Sequence, residues 1–485
     1  MTINLIQDED PLKGSIQKQT STYIPPKQNV DVDIAVLISK IRTIQRVGGS
    51  HNILDRFKRS LVNRFYQKYL KQIPLIQRIN FLLWRRLYPK YVNYLALFSR
   101  RKTKGWRPLI KLGDYIKKTG IPIIMLLEAE QVEASEPKVY PVEDQIHLAS
   151  TSDSFTFPPI YVAIARDALV YGGTNLVFME NAVICHDLYD FERDTTSEEL
   201  HGRHLINKKN KHLSLRSYDD MPETIQLAAT FVDACAQNYA HWLTEVLPRI
   251  TMFCAMDEFK NIPIIINSNL HENILESLIL ITGADREIIA IPVGRAIKVD
   301  MLYITSAVGY VPFGQRNSKL SNHSHGQFSP SALDLVRKKS ISIAKKKVDH
   351  GWPQLIYLRR NSGTRRIANE AEIEEQFSSH GYVIVESEKL TFMQQIQLFS
   401  NAKEIASPTG AALANCIFCK PGTRIIVMMG KHDNMIYRYW VNMLAPIKIE
   451  VAYCLGIITA KYDLGMHGDY FINHMDVIDL FRSGK

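Results

Sequence analysis

The sequence predicts an α/β protein in which two parallel βαβ halves face a cleft, preceded by a basic helical N-terminal segment. Three observations carry this. Strand-length apolar runs alternate with helical patterns over 262–306 and again over 331–428, the spacing of parallel βαβ units. Between them, 311–330 is rich in Gly, Ser, Asn, His and Pro, as a linker is. The excess of positive charge lies ahead of both runs. A chain of 485 residues, 46 % hydrophobic and 22 % charged, has room for two or three domains.

Residues 1–50 read as a polar, flexible tail with a short helix near 33–46. Residues 51–136 read as basic amphipathic helices. Within 51–118 there are 18 Lys or Arg against only Asp55 and Asp114, a local balance of +16 in a chain whose formal net charge is +10. Ile53, Phe57, Leu61, Phe65 and Tyr69 recur every fourth residue, while Arg56, Lys58, Arg59, Arg64 and Lys68 take the other faces. Pro74 and Pro89 then divide shorter helices carrying Trp84, Tyr88 and Tyr91 beside Arg85, Arg86 and Lys90. Basic helices with an aromatic and aliphatic face are the signature of attachment to an anionic membrane surface. No RNA-binding motif accompanies the charge, so nucleic acid is not the expected partner. The N-terminus shows no basic head followed by an apolar run, which argues against a secretory signal. The apolar stretch 121–127 is far short of the ~20 residues that span a bilayer. The protein is expected to be cytoplasmic, peripheral on the inner face of the membrane.

The first α/β half is placed at 137–325. It starts with short β runs at 160–163, 168–171 and 182–185, turning at Gly172 and Gly173. A helix over 238–250 follows, then a strand at 262–266, a helix at 272–281, and strands at 288–291 and 301–306. The second half, 326–485, alternates helix 331–347, strand 354–359, helix 369–379, strand 382–385, helix 391–401, strand 404–406, helix 410–418 and strand 424–428. In such sheets ligands bind at the carboxyl ends of the strands.

The helix over 238–250 carries the most chemistry. Asn238, His241, Glu245 and Arg249 recur at three- to four-residue spacing and form one polar stripe beside apolar Leu243, Val246 and Leu247. Trp242 borders this stripe. An imidazole and a carboxylate one turn apart can act as a general base and its orienter; a buried pair that only stabilises the core has the same spacing. Pro248 removes an amide donor and predicts a kink before Arg249. A second cluster follows the strand at 354–359: Arg359, Arg360, Arg365 and Arg366 surround a strand-end turn, as bidentate partners of a diphosphate would. A third, after the strand at 404–406, runs through Thr409, Gly410, Ala411 and Ala412 into a helix. Its small side chains let an anion approach the amides at the positive helix terminus.

Other signals are weaker. Cys416 and Cys419 form one CxxC with no second pair, and read as reduced core thiols rather than a zinc site. Asp31 and Asp33 have carboxylate-pair spacing but lie in the tail, and His323 and His325 lie in the linker, so no metal site is expected. There is no phosphate-binding P-loop, dinucleotide fingerprint or nucleophile elbow.

Together these stretches resemble glycosyltransferase family 61, which includes bacterial capsular polysaccharide enzymes. The residues that carry the resemblance are Asn238 to Glu245 with Leu247, Pro248 and Arg249; Arg359 and Arg360 with Arg365, Asn369 and Glu370; and Gly410 to Leu413 with Asn415, Phe418, Pro421 and Gly422. The likeness spans roughly 137–480.

The resemblance implies a GT-B-like pair of Rossmann-type domains, an N-terminal one for the acceptor and a C-terminal one for the donor. It also implies inverting transfer from a nucleotide-sugar to a saccharide, without metal or other cofactor. In that reading His241 and Glu245 are catalytic, either one being the base. Arg359, Arg360, Arg365, Thr409, Gly410, Ala411, Ala412 and Asn415 bind the donor. Asn238, Trp242 and Arg249 line the acceptor side or cleft. The basic segment suggests a lipid-linked saccharide acceptor in cell-surface polysaccharide biosynthesis, capsule or lipopolysaccharide. The alternative is a non-catalytic saccharide-binding or scaffold subunit of a membrane polysaccharide assembly complex. Two positions depart from the family pattern: Thr409 where a His is common, and Val427 where a Glu is common. Both bear on donor identity and ribose contacts.

Overall fold

The computed structural model describes residues 32–43, 103–148, 154–191, 204–207, 212–216, 222–311, 326–345, 351–431, 438–459 and 468–483, and single positions at Ile79 and Asp194. Two sheets organise these residues into a mixed α/β fold. The first has twelve strands among the described residues. Its parallel centre runs, in spatial order, Ile288–Ile291, Ile264–Asn267, Glu223–Thr230 and Ala296–Thr305, with Ile160–Tyr171 antiparallel against the last. Strands covered on both faces need apolar residues on both, and Ile264–Asn267 and Ile288–Ile291 are buried throughout. The covering helix Glu272–Thr282 ends at Gly283, whose φ of 83° is a left-handed stop that favours glycine.

The second sheet is parallel through Val383–Val385, Leu355–Leu358, Glu404–Pro408, Arg424–Gly430 and Glu450–Ile458. Helix Phe392–Asn401 begins with a capping box, in which the Thr391 side chain accepts from the Gln394 amide and the Gln394 side chain accepts from the Thr391 amide.

The two sheet systems meet in a shared core holding Phe253, Leu278, Phe392 and Ile417. Buried Glu276, on helix Glu272–Thr282, accepts hydrogen bonds from the amides of Phe392 (2.7 Å) and Met393 (3.2 Å). A carboxylate from one half thus caps the positive end of a helix in the other. Beside it, Asn273 Nδ2 donates to the Leu390 carbonyl at 3.1 Å.

Several sequence expectations need correction. Residues 103–136 are not wholly helical: Thr103–Lys111, Ile123–Leu127 and Glu130–Glu133 are strands, and only Leu112–Thr119 is a helix. Gly105 and Pro108 disfavour helix in the first strand, and paired isoleucines favour strand in the second. The tail helix stops at Ser39, and Arg42–Thr43 pairs in parallel with Ile288–Ile291. Leu37, Ile38 and Ile41 pack on the core, anchoring this part of the 1–50 segment. The boundary at 137 does not separate the sheets, because Lys138–Tyr140 pairs with Glu450–Ile458. Within the linker, Gln327–Phe328 pairs with Gly309–Tyr310. The helix expected at 410–418 is a 3-10 helix, Ala411–Phe418. The remaining basic helices of 51–102, Asp31, and His323 with His325 lie outside the described residues. No helix among the described residues is long and apolar enough to cross a membrane.

Candidate functional site

The helical run from Tyr239 to Cys254 is continuous but not uniform. Asn238 starts it, its side chain accepting from the Ala240 amide at 3.0 Å. Over Trp242–Val246 it widens into a π-helical turn, closed by the Leu247 amide bonding to the Trp242 carbonyl. Pro248 supplies the reason: it has no N–H for the Thr244 carbonyl four residues back, so the ladder shifts by one instead of breaking. The kink expected before Arg249 is this bulge.

Across the bulge, His241 Nδ1 lies 2.5 Å from Glu245 Oε1, both side chains nearly buried. Arg249 Nε donates to the Glu245 carbonyl at 3.0 Å, and its Nη2 pairs with Asp233 Oδ2 at 3.0 Å. Asp233 is fixed by its neighbours: its amide donates to Asn267 Oδ1 and its Oδ1 accepts from the Cys235 amide, each at 2.9 Å. Burial alone would lower the His241 pKa, but the Glu245 carboxylate, its hydrogen bond and then Asp233 outweigh it and hold the imidazole above its ordinary value. Burial raises the Glu245 carboxyl too, opposed chiefly by His241. An imidazole held above its ordinary value against a carboxylate within hydrogen-bond distance is suitably placed for general acid–base work.

Trp242 corrects the sequence reading. It is 0 % exposed, its indole N–H donates to Ser277 Oγ at 2.7 Å, and it belongs to the core, not the cleft. Asn238 is exposed and occupied with capping.

The four arginines divide into two kinds. Arg359 makes a bidentate pair with Glu374, 2.6 Å on both arms, and reaches Glu386 at 3.5 Å. Arg366 pairs with Asp469 at 2.8 Å. Arg360 instead donates, among the described residues, to the carbonyls of Thr409 (3.1 Å) and Thr364 (3.4 Å). Arg365 Nε is buried without a hydrogen-bond partner among the described residues. Burial, reinforced by the charge of Arg360, pushes the Arg365 guanidinium down to about 10. Burial likewise lowers Arg360. Arg365 also holds a φ of 58°, left-handed for a side-chain-bearing residue, a strain of about 1 kcal/mol or more. Two adjacent guanidiniums that make no ion pair with a carboxylate among the described residues form a site for an anion.

The Thr409–Ala412 turn lies against this pair. A Cβ on Gly410 would collide with Arg360 Nη1. Gly410 φ is −180°, extended backbone open to any residue, so the requirement is for space and not conformation. The first bond of the 3-10 helix is made by the Leu413 amide to the Gly410 carbonyl, so the amides of Gly410, Ala411 and Ala412 have no backbone acceptor among the described residues. Thr409 supports the turn: its amide bonds to the Met428 carbonyl at 2.8 Å and its hydroxyl accepts from the Trp440 indole at 3.1 Å. Val427 is 0 % exposed within its strand.

Asn415 does not face this turn. It is 0 % exposed, its amide donating to Gln395 Oε1 at 2.7 Å and its Oδ1 lying 2.7 Å from the Tyr239 hydroxyl. Through it, the helix that carries His241 abuts the helix that begins at the Gly410 turn. The sequence did not single out Asp233, Tyr439 or Trp440. Tyr439 stacks edge-on against Trp440, whose indole holds Thr409. An Asp just past a core strand in the same half as His241 was the signal for Asp233; nothing local marked Tyr439.

All three sequence motifs fall in one stretch. Residues 239–426 match the family model described as Glycosyltransferase 61, a narrower span than 137–480. No curated protein matches the chain. The matched stretch runs from the helix of His241 to the strand that follows the Gly410 turn, so it takes in the imidazole–carboxylate pair, the arginine pair and the turn; the chain carries a glycosyltransferase family 61 domain and is a glycosyltransferase.

Proposed function

We propose that the protein transfers a sugar with inversion, from a nucleotide-sugar to a saccharide acceptor, across a GT-B-like cleft between two Rossmann-type domains. The observation that carries this reading is the adjacency of two unlike sites. A buried base pair, His241 and Glu245, stands on a helix joined through Tyr239 and Asn415 to the element whose start faces Arg360.

In this mechanism Glu245 holds His241 through Nδ1, and Nε2 takes the proton of the acceptor hydroxyl. The acceptor oxygen forms its bond to the anomeric carbon as the bond to the diphosphate breaks on the opposite face. The electron pair leaves with the diphosphate, whose growing charge meets Arg360, Arg365 and the amides of Gly410, Ala411 and Ala412. These groups supply the positive charge, and the reaction proceeds without metal. Arg359 acts at one remove, tied by Glu374 and Glu386 so that the chain leaves the strand in the direction that Arg360 needs.

We further assign the basic segment of 51–102 to an anionic membrane surface on the cytoplasmic side, where a lipid-linked saccharide in cell-surface polysaccharide biosynthesis is the acceptor. The reading is tested by titrating nucleoside diphosphates into Arg365→Ala and His241→Ala. Weakened binding in the first, with lost turnover but retained binding in the second, is the expected pattern, and the reverse pattern refutes it.

A further inference from the structure

Three elements of the site converge on one buried side chain that lies outside all three sequence motifs. Gln395, near the start of helix Phe392–Asn401, is 3 % exposed, and its carboxamide uses all four of its hydrogen-bonding positions. Nε2 donates to the carbonyls of Ser387 and Leu390, each at 3.1 Å. Oε1 accepts from Asn415 Nδ2 at 2.7 Å and lies 2.7 Å from the Tyr239 hydroxyl, which is also 2.7 Å from Asn415 Oδ1. Each partner leads to one part of the site. Tyr239 opens the helical run that carries His241 and Glu245. Asn415 lies on the 3-10 helix that follows the Gly410 turn. Ser387 and Leu390 bound the short turn after Glu386, and Glu386 and Glu388 both accept from Asn361 Nδ2 at 2.8 Å, next to Arg360. The helix of His241 needs such an outside anchor. Its ladder is shifted over Trp242–Val246, and π-bulges are points where helices bend, so the turn that carries His241 takes its direction from what holds Tyr239.

We propose that Gln395 is a positioning residue for the transfer, and that through its carboxamide a diphosphate bound at the arginine turn and the Gly410 turn also settles the helix of His241. This rests on the transferase reading and adds to it a residue and a form of regulation: donor occupancy readies the base. A rotated carboxamide would leave buried donors and acceptors on three elements unpaired at once, so the joint is held in one arrangement. Gln395 touches neither substrate nor the reacting atoms; it acts through Tyr239 on one side and through Asn415 and the 386–390 turn on the other.

The test is amide hydrogen–deuterium exchange, read by mass spectrometry with and without UDP, GDP and dTDP. The samples are the full-length chain, Tyr239→Phe, which removes only the hydroxyl, Gln395→Met, which keeps the side-chain length, and the double variant. Nucleotide affinity and thermal unfolding are measured on the same samples, and Tyr239→Phe decides the question even where Gln395→Met does not fold. In the unaltered chain, bound nucleotide should slow exchange over 359–366 and also over 239–250. In Tyr239→Phe, nucleotide should bind with unchanged affinity and still protect 359–366, while the protection of 239–250 is lost. With the nucleotide-sugar that binds as donor, kcat of this variant should fall about 10- to 100-fold, the effect of a misplaced group, with KM for the donor unchanged. Gln395→Met should lose nucleotide affinity as well, and the double variant should be no worse than Gln395→Met, since both changes break one joint. Protection of 239–250 that survives Tyr239→Phe, or that is missing from the unaltered chain while 359–366 is protected, overturns the coupling and leaves the transferase reading standing. An unchanged kcat in Tyr239→Phe overturns it too. Faster exchange throughout Tyr239→Phe, whether or not nucleotide is present, would show a purely structural role and likewise overturn it. Absence of nucleotide binding in the unaltered chain would instead remove the transferase reading itself.

Discussion

Gly410→Ala isolates the contact between the turn and Arg360. The added methyl falls on Arg360 Nη1, whose hydrogen bond to the Thr409 carbonyl is 3.1 Å long. The backbone accepts alanine there, since φ is extended, so the side chain of Arg360 must yield. Arg360 would swing off the Thr409 carbonyl and away from the diphosphate. One charge-assisted hydrogen bond is worth about 1.5–3 kcal/mol, or about 10- to 100-fold in nucleotide affinity. Lost contact to the carbonyl costs the fold only about 1 kcal/mol. Calorimetric titration with nucleoside diphosphates reads the first quantity and denaturant unfolding the second. A Gly410→Ala protein that binds nucleotide as tightly as the original refutes the placement of the diphosphate at Arg360. One that loses several kcal/mol of stability would show that the glycine serves packing alone.

Glu245→Gln removes the carboxylate that holds the His241 pKa up, while burial continues to depress it. The base must be deprotonated to act, so activity rises with pH through the pair's raised pKa; in the variant the acid limb of kcat/KM should move to lower pH and kcat should fall, as pH–rate profiles would reveal. His241→Ala should lower kcat by about 10²- to 10⁴-fold with nucleotide affinity retained. Arg359→Ala should lower stability by about 3 kcal/mol or more, since it strands the buried Glu374 carboxylate, whereas Arg365→Ala should keep its unfolding midpoint and lose nucleotide; similar unfolding curves for the two would contradict the division of the arginines. Replacing Arg56, Lys58, Arg59, Arg64 and Lys68 with Gln should abolish flotation with anionic liposomes at physiological salt, and unchanged flotation would sink the membrane assignment.

Periodicity gave most of the second sheet, because parallel strands buried on both faces are nearly continuous apolar runs, as at Arg424–Gly430. It gave the His241–Glu245 pair for a similar reason, since one turn of helix fixes that contact locally. Pairing across long separations left no such trace. Lys138–Tyr140 joins a strand more than 300 residues later, and Arg42–Thr43 a strand near residue 289. Charge compensation was equally hidden: the four arginines look alike in sequence, and only the fold brings Glu374 and Glu386 to Arg359, while Arg365 has no carboxylate partner among the described residues. Trp242 was misread because its place beside the polar stripe says nothing of the helix that covers it, where Ser277 takes its indole N–H.

The most direct measurement is saturation-transfer NMR of the full-length chain against a panel of nucleotide-sugars, repeated with Arg365→Ala. The account predicts that one donor class binds through its nucleoside diphosphate part, with EDTA present or absent, and that Arg365→Ala loses it. Binding that survives Arg365→Ala, or no binding by any donor, would contradict the account and favour a non-catalytic saccharide-binding or scaffold role.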